Sequence, residues 1–377
     1  MKTKTIGILG GGQLARMSAF QAYKLGFQVA ILEKIKNSPA GQLTHNEFLG
    51  WVDDDQILKK FAKRSDVITL ENEFINAERL KFIETLGKNV VPSSYTIRLI
   101  QDKFTQKRTL SKKGIPVPKF LEVESEDDYT KIAELLGKRF ILKSRKMGYD
   151  GYGNADVNND KRFRESFKRL TNRHAKLMAE EFVNFQKELA IMVVRTKNEI
   201  RTYPVVQTIQ KNHILYTCIA PAQISKRKIK EAEEIGTECV KAVKGYGLFG
   251  IEMFLDARGK ILVNEMAPRP HNSGHYTIEG NVTSQFENHI RAVLNLPLGS
   301  TELIKKYAVM INLLGKRDGG GVVQNYKESL SKDDLHLHIY GKEKSRIGRK
   351  MGHITIVGDN LNSILRKAKS MEKKIII

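Results

Sequence analysis

The first hundred residues alternate short aliphatic runs with amphipathic stretches, and that alternation restricts the fold more than any other feature of the chain. Thr5 to Leu9, Val29 to Leu32, Val67 to Leu70 and Val90 to Val91 read as strands. Gln13 to Leu25, Ile57 to Ala62 and Ala77 to Leu86 have helical spacing. Strand and helix in regular succession imply right-handed crossovers, hence a parallel sheet with helices on both faces. The expected class is α/β, with a first domain over residues 1–100.

A second region, 101–298, opens with a helix through Leu110 and the breaker Gly114-Ile115-Pro116-Val117-Pro118. A strand at Phe140 to Lys143 then meets the glycine-rich run Gly148-Tyr149-Asp150-Gly151-Tyr152-Gly153, and two strands joined by such a loop would make a flap, around 115–185. Strand-like runs follow at Ile191 to Arg195, Tyr203 to Gln207, Phe249 to Leu255 and Lys260 to Val263. Between them Ile229, Ala232, Ile235, Cys239 and Val243 mark one helix face. The breaker Leu296-Pro297-Leu298-Gly299 introduces a last region, 299–377, with a strand at Ala308 to Leu314, a basic loop from Lys342 to Lys350 and a closing helix around Leu361 to Met371.

The 377 residues suit two or three domains, and the 64 Lys and Arg against 42 Asp and Glu give a net charge of +22. No apolar run is long enough to span a bilayer, and the N-terminus breaks into glycines where a signal peptide needs an apolar stretch, so a cytoplasmic protein is expected. Cys218 and Cys239 lack a metal-ligand spacing, so neither a disulfide nor a zinc site is expected. The charge alone fits either a nucleic-acid surface or an enzyme of small anions. Because the lysines are spread along the chain with no aromatic-interleaved basic patch, no nucleic-acid partner is expected.

Gly10-Gly11-Gly12-Gln13-Leu14-Ala15 fits a G-x-G-x-x-A dinucleotide fingerprint, with Glu33 placed 21 residues after Gly12 to meet a ribose diol. The same loop could hold a mononucleotide phosphate on its N–H groups, or be a tight turn with no ligand. Those three readings stay open on the residues alone.

Lys143, at a strand end before the second glycine run, suits the phosphates of ATP beneath a mobile cover. Glu252 and Glu265 lie in strands joined across the turn Ala257-Arg258-Gly259, which would set two carboxylates side by side, with Asn264 adding an oxygen. Mg²⁺ binds through one or two carboxylates plus nucleotide phosphates, and Mn²⁺ would fit the same ligands. The stiff, polar segment Ala267-Pro268-Arg269-Pro270-His271-Asn272-Ser273-Gly274-His275 follows at once and suits a second anion near the γ-phosphate.

Taken in order, GGGQLARM at Gly10, KSRKMGYDGYG at Lys143, EEFVNFQKE at Glu180, VNEMAPRPHNSGHYT at Val263, SQFENHIRA at Ser284 and YGKEKSRIGRKMGHI at Tyr340 resemble the 5-(carboxyamino)imidazole ribonucleotide synthases, an ATP-grasp family. The resemblance covers essentially the whole chain. It implies a Rossmann-like N-terminal domain, an ATP-grasp domain with a glycine-rich flap and a small C-terminal domain. It implies a ligase that carboxylates 5-aminoimidazole ribonucleotide with ATP and bicarbonate through carboxyphosphate, as a homodimer and without biotin. Lys103, Lys143 and Gly148 to Gly153 (Gly148, Tyr149, Asp150, Gly151, Tyr152, Gly153) would then face the ATP phosphates, the backbone of Glu180, Glu181, Phe182 and Val183 the adenine, and Glu188 the ribose. Glu252 and Glu265 would hold Mg²⁺, with Asn264 beside them. Gly12, Gln13, Leu14, Glu73, Tyr149, Asp150, Arg269, His271, Asn272, Ser273, Lys342, Arg349 and Lys350 would complete the ribonucleotide and bicarbonate pocket, with Arg269, His271 and Lys342 catalytic. The chain departs from the usual pattern at Lys103, where an arginine is common, and at Gln207-Thr208 and Gln210, where Glu-Asn and a histidine are common. In Glu71-Asn72-Glu73 the asparagine comes before the second glutamate rather than after it, so order alone does not decide which of these residues faces the ribonucleotide.

Overall fold

The computed structural model describes residues 3–148, 153–172 and 176–377. The N-terminal strands are β1 (Thr5–Leu9), β2 (Gln28–Glu33), β3 (Glu47–Leu49), β4 (Val67–Leu70) and β5 (Asn89–Val90), interleaved with α1 (Gln13–Lys24), α2 (Asp55–Arg64) and α3 (Ala77–Thr85). They pair in parallel in the order β3-β2-β1-β4-β5. β1 and β4 are buried along their whole length, as central strands covered on both faces must be. The C-terminal ends of β1 and β4 are therefore neighbours, and the loop at Gly10–Gly12 opens into the crevice where ligands of such sheets bind. Helices α4 (Ser94–Ile100) and α5 (Lys103–Ser111) follow, and the Asp102 carboxylate caps α5 by accepting from the Thr105 N–H.

A small antiparallel sheet comes next, from β6 (Phe120–Val123), β7 (Phe140–Ser144), β8 (Asn154–Val157) and β9 (Leu177–Glu181), ordered β6-β9-β7-β8 and backed by α6 (Tyr129–Leu136) and α7 (Asp160–Thr171). The second glycine run joins β7 to β8. Of it, Tyr149, Asp150, Gly151 and Tyr152 lie outside the described residues.

The remaining strands are β10 (Phe185–Arg195), β11 (Ile200–Thr202), β12 (Val206–Lys211), β13 (Ile214–Ala220), β14 (Gly247–Asp256), β15 (Ile261–Ala267), β16 (Tyr307–Leu314), β17 (Gly319–Gly320), β18 (Leu335–Ile339), β19 (Lys344–Ser345) and β20 (Lys350–Gly358). The helices among them are α8 (Lys226–Ala242), α9 (Thr277–Gly280), α10 (Gln285–Val293), α11 (Lys327–Leu330) and α12 (Leu361–Lys374). One sheet runs β15-β14-β10-β12-β13-β16-β20-β18, with β11 on β10. It crosses the expected division at 298, because β13 pairs with β16 through contacts such as Cys218 opposite Met310. Ala190, Val206, Cys218, Ala308 and Met310 share one core there, so the small C-terminal domain is joined to the preceding one through the sheet. Both cysteines are buried and free.

The strand expected over Tyr203 to Gln207 begins only at Val206. Pro204 has no N–H to give a ladder, and Tyr203 turns inward, fully buried, with its hydroxyl donating to the Thr283 carbonyl at 3.0 Å. Among the described residues no helix is long and apolar enough to cross a membrane.

Candidate active site

Three units, the N-terminal sheet, the small flap sheet and the long sheet, enclose one cavity of about 1140 Å³. That exceeds the ~300–1,000 Å³ of an ordinary single-ligand pocket and leaves room for two ligands. Its floor is the β14–β15 hairpin. Glu252 stands directly opposite Glu265, but Met253 stands opposite Val263, so Asn264 is an extra residue in the ladder. Such a bulge re-aims side chains, and here consecutive Asn264 and Glu265 both line the cavity.

The two carboxylates have opposite electrostatics. Burial pushes the Glu252 carboxyl up to about 8, and the Glu265 charge adds to the rise. Burial would raise Glu265 too, but Lys103, in ion-pair contact with it, holds it down at about 2. Two facing oxygen donors, one of them kept from ionising by burial and by its neighbour's charge, fit a hard divalent cation, whose charge would let both ionise.

At one end the Glu180 carboxylate is buried between two lysines. Lys143 Nζ donates to Glu180 Oε1 at 2.7 Å and to Asn264 Oδ1 at 3.2 Å, and Lys107 Nζ lies 2.6 Å from Glu180 Oε2. Burial alone would raise Glu180, but Lys107 and Lys143 bring it below its usual value. Glu181, Phe182, Val183, Gln210 and Gly148 line the same end. Glu188 does too, with its carboxyl pushed up to about 7 by burial. Gly153 closes the base of the loop, accepting from the Ser144 N–H at 2.7 Å.

At the other end, Arg269 forms a fork on Glu73, Nε to Oε2 at 2.6 Å and the second nitrogen to Oε1 at 3.1 Å. His271 Nδ1 is 2.8 Å from Ser273 Oγ, and its Nε2 is 3.5 Å from Glu252 Oε1. Burial, then the Arg269 charge, lowers this imidazole to about 3, so it is neutral at pH 7. Asn272 lines the cavity, and its amide pairs with Asn312 at 3.0 Å. Ser273 is 0% exposed and meets the site only through His271.

The first glycine loop differs from what its sequence implies. The Gly12 and Leu14 N–H groups donate to Glu71, at 2.6 and 3.1 Å, and the Gly11 N–H donates to Glu33 Oε2 at 2.8 Å. The loop's anion-binding amides are thus filled by the chain's own carboxylates, and Glu33 is turned to the loop rather than free for a ribose diol, which removes the dinucleotide reading. A Cβ at Gly12 would come 2.3 Å from Glu71 Oε1, so a larger residue there would displace this carboxylate from the loop's N–H groups. Gln13 and Leu14 line the cavity, while Gly12 lies behind them.

Of the basic loop, Lys350 reaches the cavity wall. Lys342 Nζ donates to the Lys350 carbonyl at 2.6 Å, and Arg349 donates to the Lys344 carbonyl. Neither Lys342 nor Arg349 belongs to the described lining. Nearby, Glu279, His338 and His353 bring three possible metal ligands together. The two imidazoles are stacked 4.4 Å apart within 10° of parallel, so their in-plane lone pairs do not converge on one ion.

Sequence reasoning missed Lys107 and undervalued Glu71. Lys107 lies four residues after Lys103, on the same helix face, and that spacing was the available signal. Glu71 follows β4, the strand beside β1, so topology rather than motif brings it to the loop.

Parallel sheet, flap sheet, opposed carboxylates and paired lysines around one cavity define an ATP-grasp ligase. A model of the ATP-grasp domain matches residues 108–286, preceded by a ribonucleotide synthetase preATP-grasp domain over 2–101 and followed by a phosphoribosylaminoimidazole carboxylase C-terminal domain over 308–367. The chain belongs to the N5-carboxyaminoimidazole ribonucleotide synthase family. It is 39% identical over 360 residues to that synthase from Staphylococcus aureus (strain MRSA252), covering 95% of this chain and 94% of the relative. The synthetase structure from Thermotoga maritima matches with a TM-score of 0.87 at 44% identity, covering 99% of both chains. The Aspergillus clavatus synthase, in complex with ADP and 5-aminoimidazole ribonucleotide, matches with a TM-score of 0.89 at 35% identity, covering 98% of both.

Proposed function

We propose that this chain carboxylates 5-aminoimidazole ribonucleotide at the expense of ATP and bicarbonate, a step of purine biosynthesis. The observation that carries the reading is the single cavity with the Glu252–Glu265 pair on its floor, the Lys143–Glu180 contact at one end and the Arg269-to-Asn272 segment at the other.

A bicarbonate oxygen attacks the γ-phosphorus and ADP leaves. The exocyclic amine nitrogen of the ribonucleotide then forms a bond to the carboxyl carbon of carboxyphosphate, whose bond to the phosphate oxygen breaks; the nitrogen gives up one proton and inorganic phosphate departs. Magnesium, or manganese in its place, would supply charge neutralisation at the phosphate oxygens, held by Glu252 and Glu265. Lys103 and Lys143 bind phosphate oxygens, the Glu180–Val183 backbone and Glu188 hold the nucleoside, and Gly148 to Gly153 cover it. Arg269, His271 and Lys342 orient bicarbonate. Gln13, Leu14, Glu73, Asn272, Ser273 through His271, Arg349 and Lys350 place the ribonucleotide. A neutral His271 can donate one hydrogen bond or accept one, which suits orientation of an anion without adding charge. Excluding water protects carboxyphosphate from hydrolysis.

In this reading residues 1–100 serve the ribonucleotide, 101–298 the nucleotide, and 299–377 close the pocket. The protein works in the cytoplasm as a homodimer, without biotin, nucleic acid or membrane. Incubation with ATP, Mg²⁺, bicarbonate and 5-aminoimidazole ribonucleotide is expected to release phosphate only when the ribonucleotide is present. A folded preparation that releases none, or that responds equally to another acceptor, would refute the assignment.

A further inference from the structure

Lys107 is a fully buried cation beside the site that the proposed mechanism does not use, and its placement is unusual for a lysine. It projects from α5 beneath the cavity floor and is 2% exposed. Lysine is almost never fully buried unless paired. Its ammonium faces three acceptors, Glu180 Oε2 at 2.6 Å, the Asn264 carbonyl at 2.8 Å and the Val263 carbonyl at 3.3 Å. With two of its donors on backbone carbonyls and its charge against Glu180, Lys107 is turned away from the cavity and is absent from the described lining. Lys143 differs: it shares the same carboxylate but lies on the lining of the cavity.

We infer that Lys107 is a positioning residue for the nucleotide: it holds the Glu180 carboxylate from below, so that Lys143 can turn its ammonium to a phosphate of ATP. Two ammonium groups against one carboxylate leave this buried cluster of three with one positive charge. Without Lys107 the count is one against one, and Glu180 captures Lys143 in a closed buried pair. The pair of carbonyls from β15 matters for the same reason. They fix Lys107 to the strand that carries Glu265, and so tie the phosphate-binding lysine and the carboxylate floor into one rigid unit.

The inference rests on ATP occupying this cavity, and ADP titration by calorimetry separates the two ideas. Wild-type protein that binds no ADP overturns the nucleotide reading itself. Given wild-type binding, Lys107→Met is expected to weaken ADP by roughly tenfold or more, the loss of one charge-assisted contact. The KM for ATP should rise in parallel while the KM for the ribonucleotide stays put, a split that a general loss of structure would not produce. Lys107→Met/Glu180→Gln removes both buried charges, leaves Lys143 uncaptured, and should bind ADP within about threefold of wild type. Wild-type affinity in the single variant, or a double variant no tighter than the single, overturns the inference. Should Lys107→Met fail to fold, the double variant decides alone, because it removes both of the fully buried charges and leaves Lys143 at the cavity lining; tenfold weaker ADP binding there overturns the inference.

Discussion

Two pairs of glutamates lie in or beside the cavity, and they are answered by different kinds of positive charge. Glu33 and Glu71 accept from the N–H groups of Gly11, Gly12 and Leu14, dipoles fixed in the backbone. Glu265 is answered by Lys103, a side chain that can move, and Glu252 faces Glu265 with a carboxyl pushed up to about 8. A carboxylate satisfied by fixed dipoles belongs to the scaffold. One satisfied by a flexible ammonium is free to change partners, which is what the proposed metal site asks of Glu265. Motif reading alone leaves the first glycine loop open between an anion site and a ligand-free turn; hydrogen-bond accounting fills its amides with the chain's own carboxylates.

The comparison breaks most visibly at Glu265. Glu265→Gln keeps the shape and the strand pairing but removes half of the proposed metal site and the partner of Lys103. Metal-based charge stabilisation contributes several kcal/mol, so turnover is expected to fall by at least ~10²-fold, with an unchanged circular dichroism spectrum. Near-normal phosphate release would take Glu265 out of the metal site.

Glu71→Ala should do the opposite, costing stability first. It leaves the Gly12 and Leu14 N–H groups without their acceptor, at roughly 1–3 kcal/mol for each buried donor left unmade. Urea unfolding is expected to show a loss of about 2–4 kcal/mol, with Glu71→Gln recovering much of it because an acceptor oxygen remains. If Glu71→Ala unfolds like wild type, the loop's amides are not held by this carboxylate in solution.

The legibility of the molecule divides along the same line. Strand β1, the Glu252–Glu265 hairpin and the segment from Arg269 to Asn272 were readable because periodicity and local chemistry lie next to one another in the chain. Glu71 and Lys107 were not, since each acts through partners distant in sequence: Glu71 lies 59 residues from Gly12, and Lys107 lies 157 from Asn264. The strand misplaced at Tyr203 reflects a tertiary contact overriding a local apolar run. The single sheet running past residue 298 was hidden for a related reason, because a breaker such as Leu296-Pro297-Leu298-Gly299 marks a change of direction and not the end of a sheet.

Glu188 sharpens the contrast as a third case, a carboxyl with burial against it and raised to about 7. Its folded value lies above its unfolded one, so the folded chain keeps this proton longer and the group's contribution to stability declines as pH rises from about 4.5 to 7. Nucleotide binding should run the other way. In the proposed site Glu188 accepts from the ribose, and its ionised form is the stronger acceptor, so the KM for ATP is expected to climb several-fold between pH 8 and pH 6. Glu188→Gln should flatten that dependence; an equally steep profile in the variant would assign it to another group.

The smallest effect is expected at Lys103, and it tests whether the flexible partner acts by charge or by shape. Lys103 touches Glu265 through one ammonium, and it is that charge which outweighs burial and keeps Glu265 ionised. Arginine carries the same charge and adds a planar fork, while its more delocalised cation is easier to bury. Lys103→Arg should therefore change kcat/KM for ATP by no more than about threefold, under 1 kcal/mol. Lys103→Met, which removes the charge at similar volume, should lower it far more, because Glu265 would then rise toward protonation with Glu252 already there. Equal losses in the two variants would mean that the reach of the lysine, rather than its charge, sets the floor, and the distinction between fixed and movable partners would have to be drawn from geometry alone.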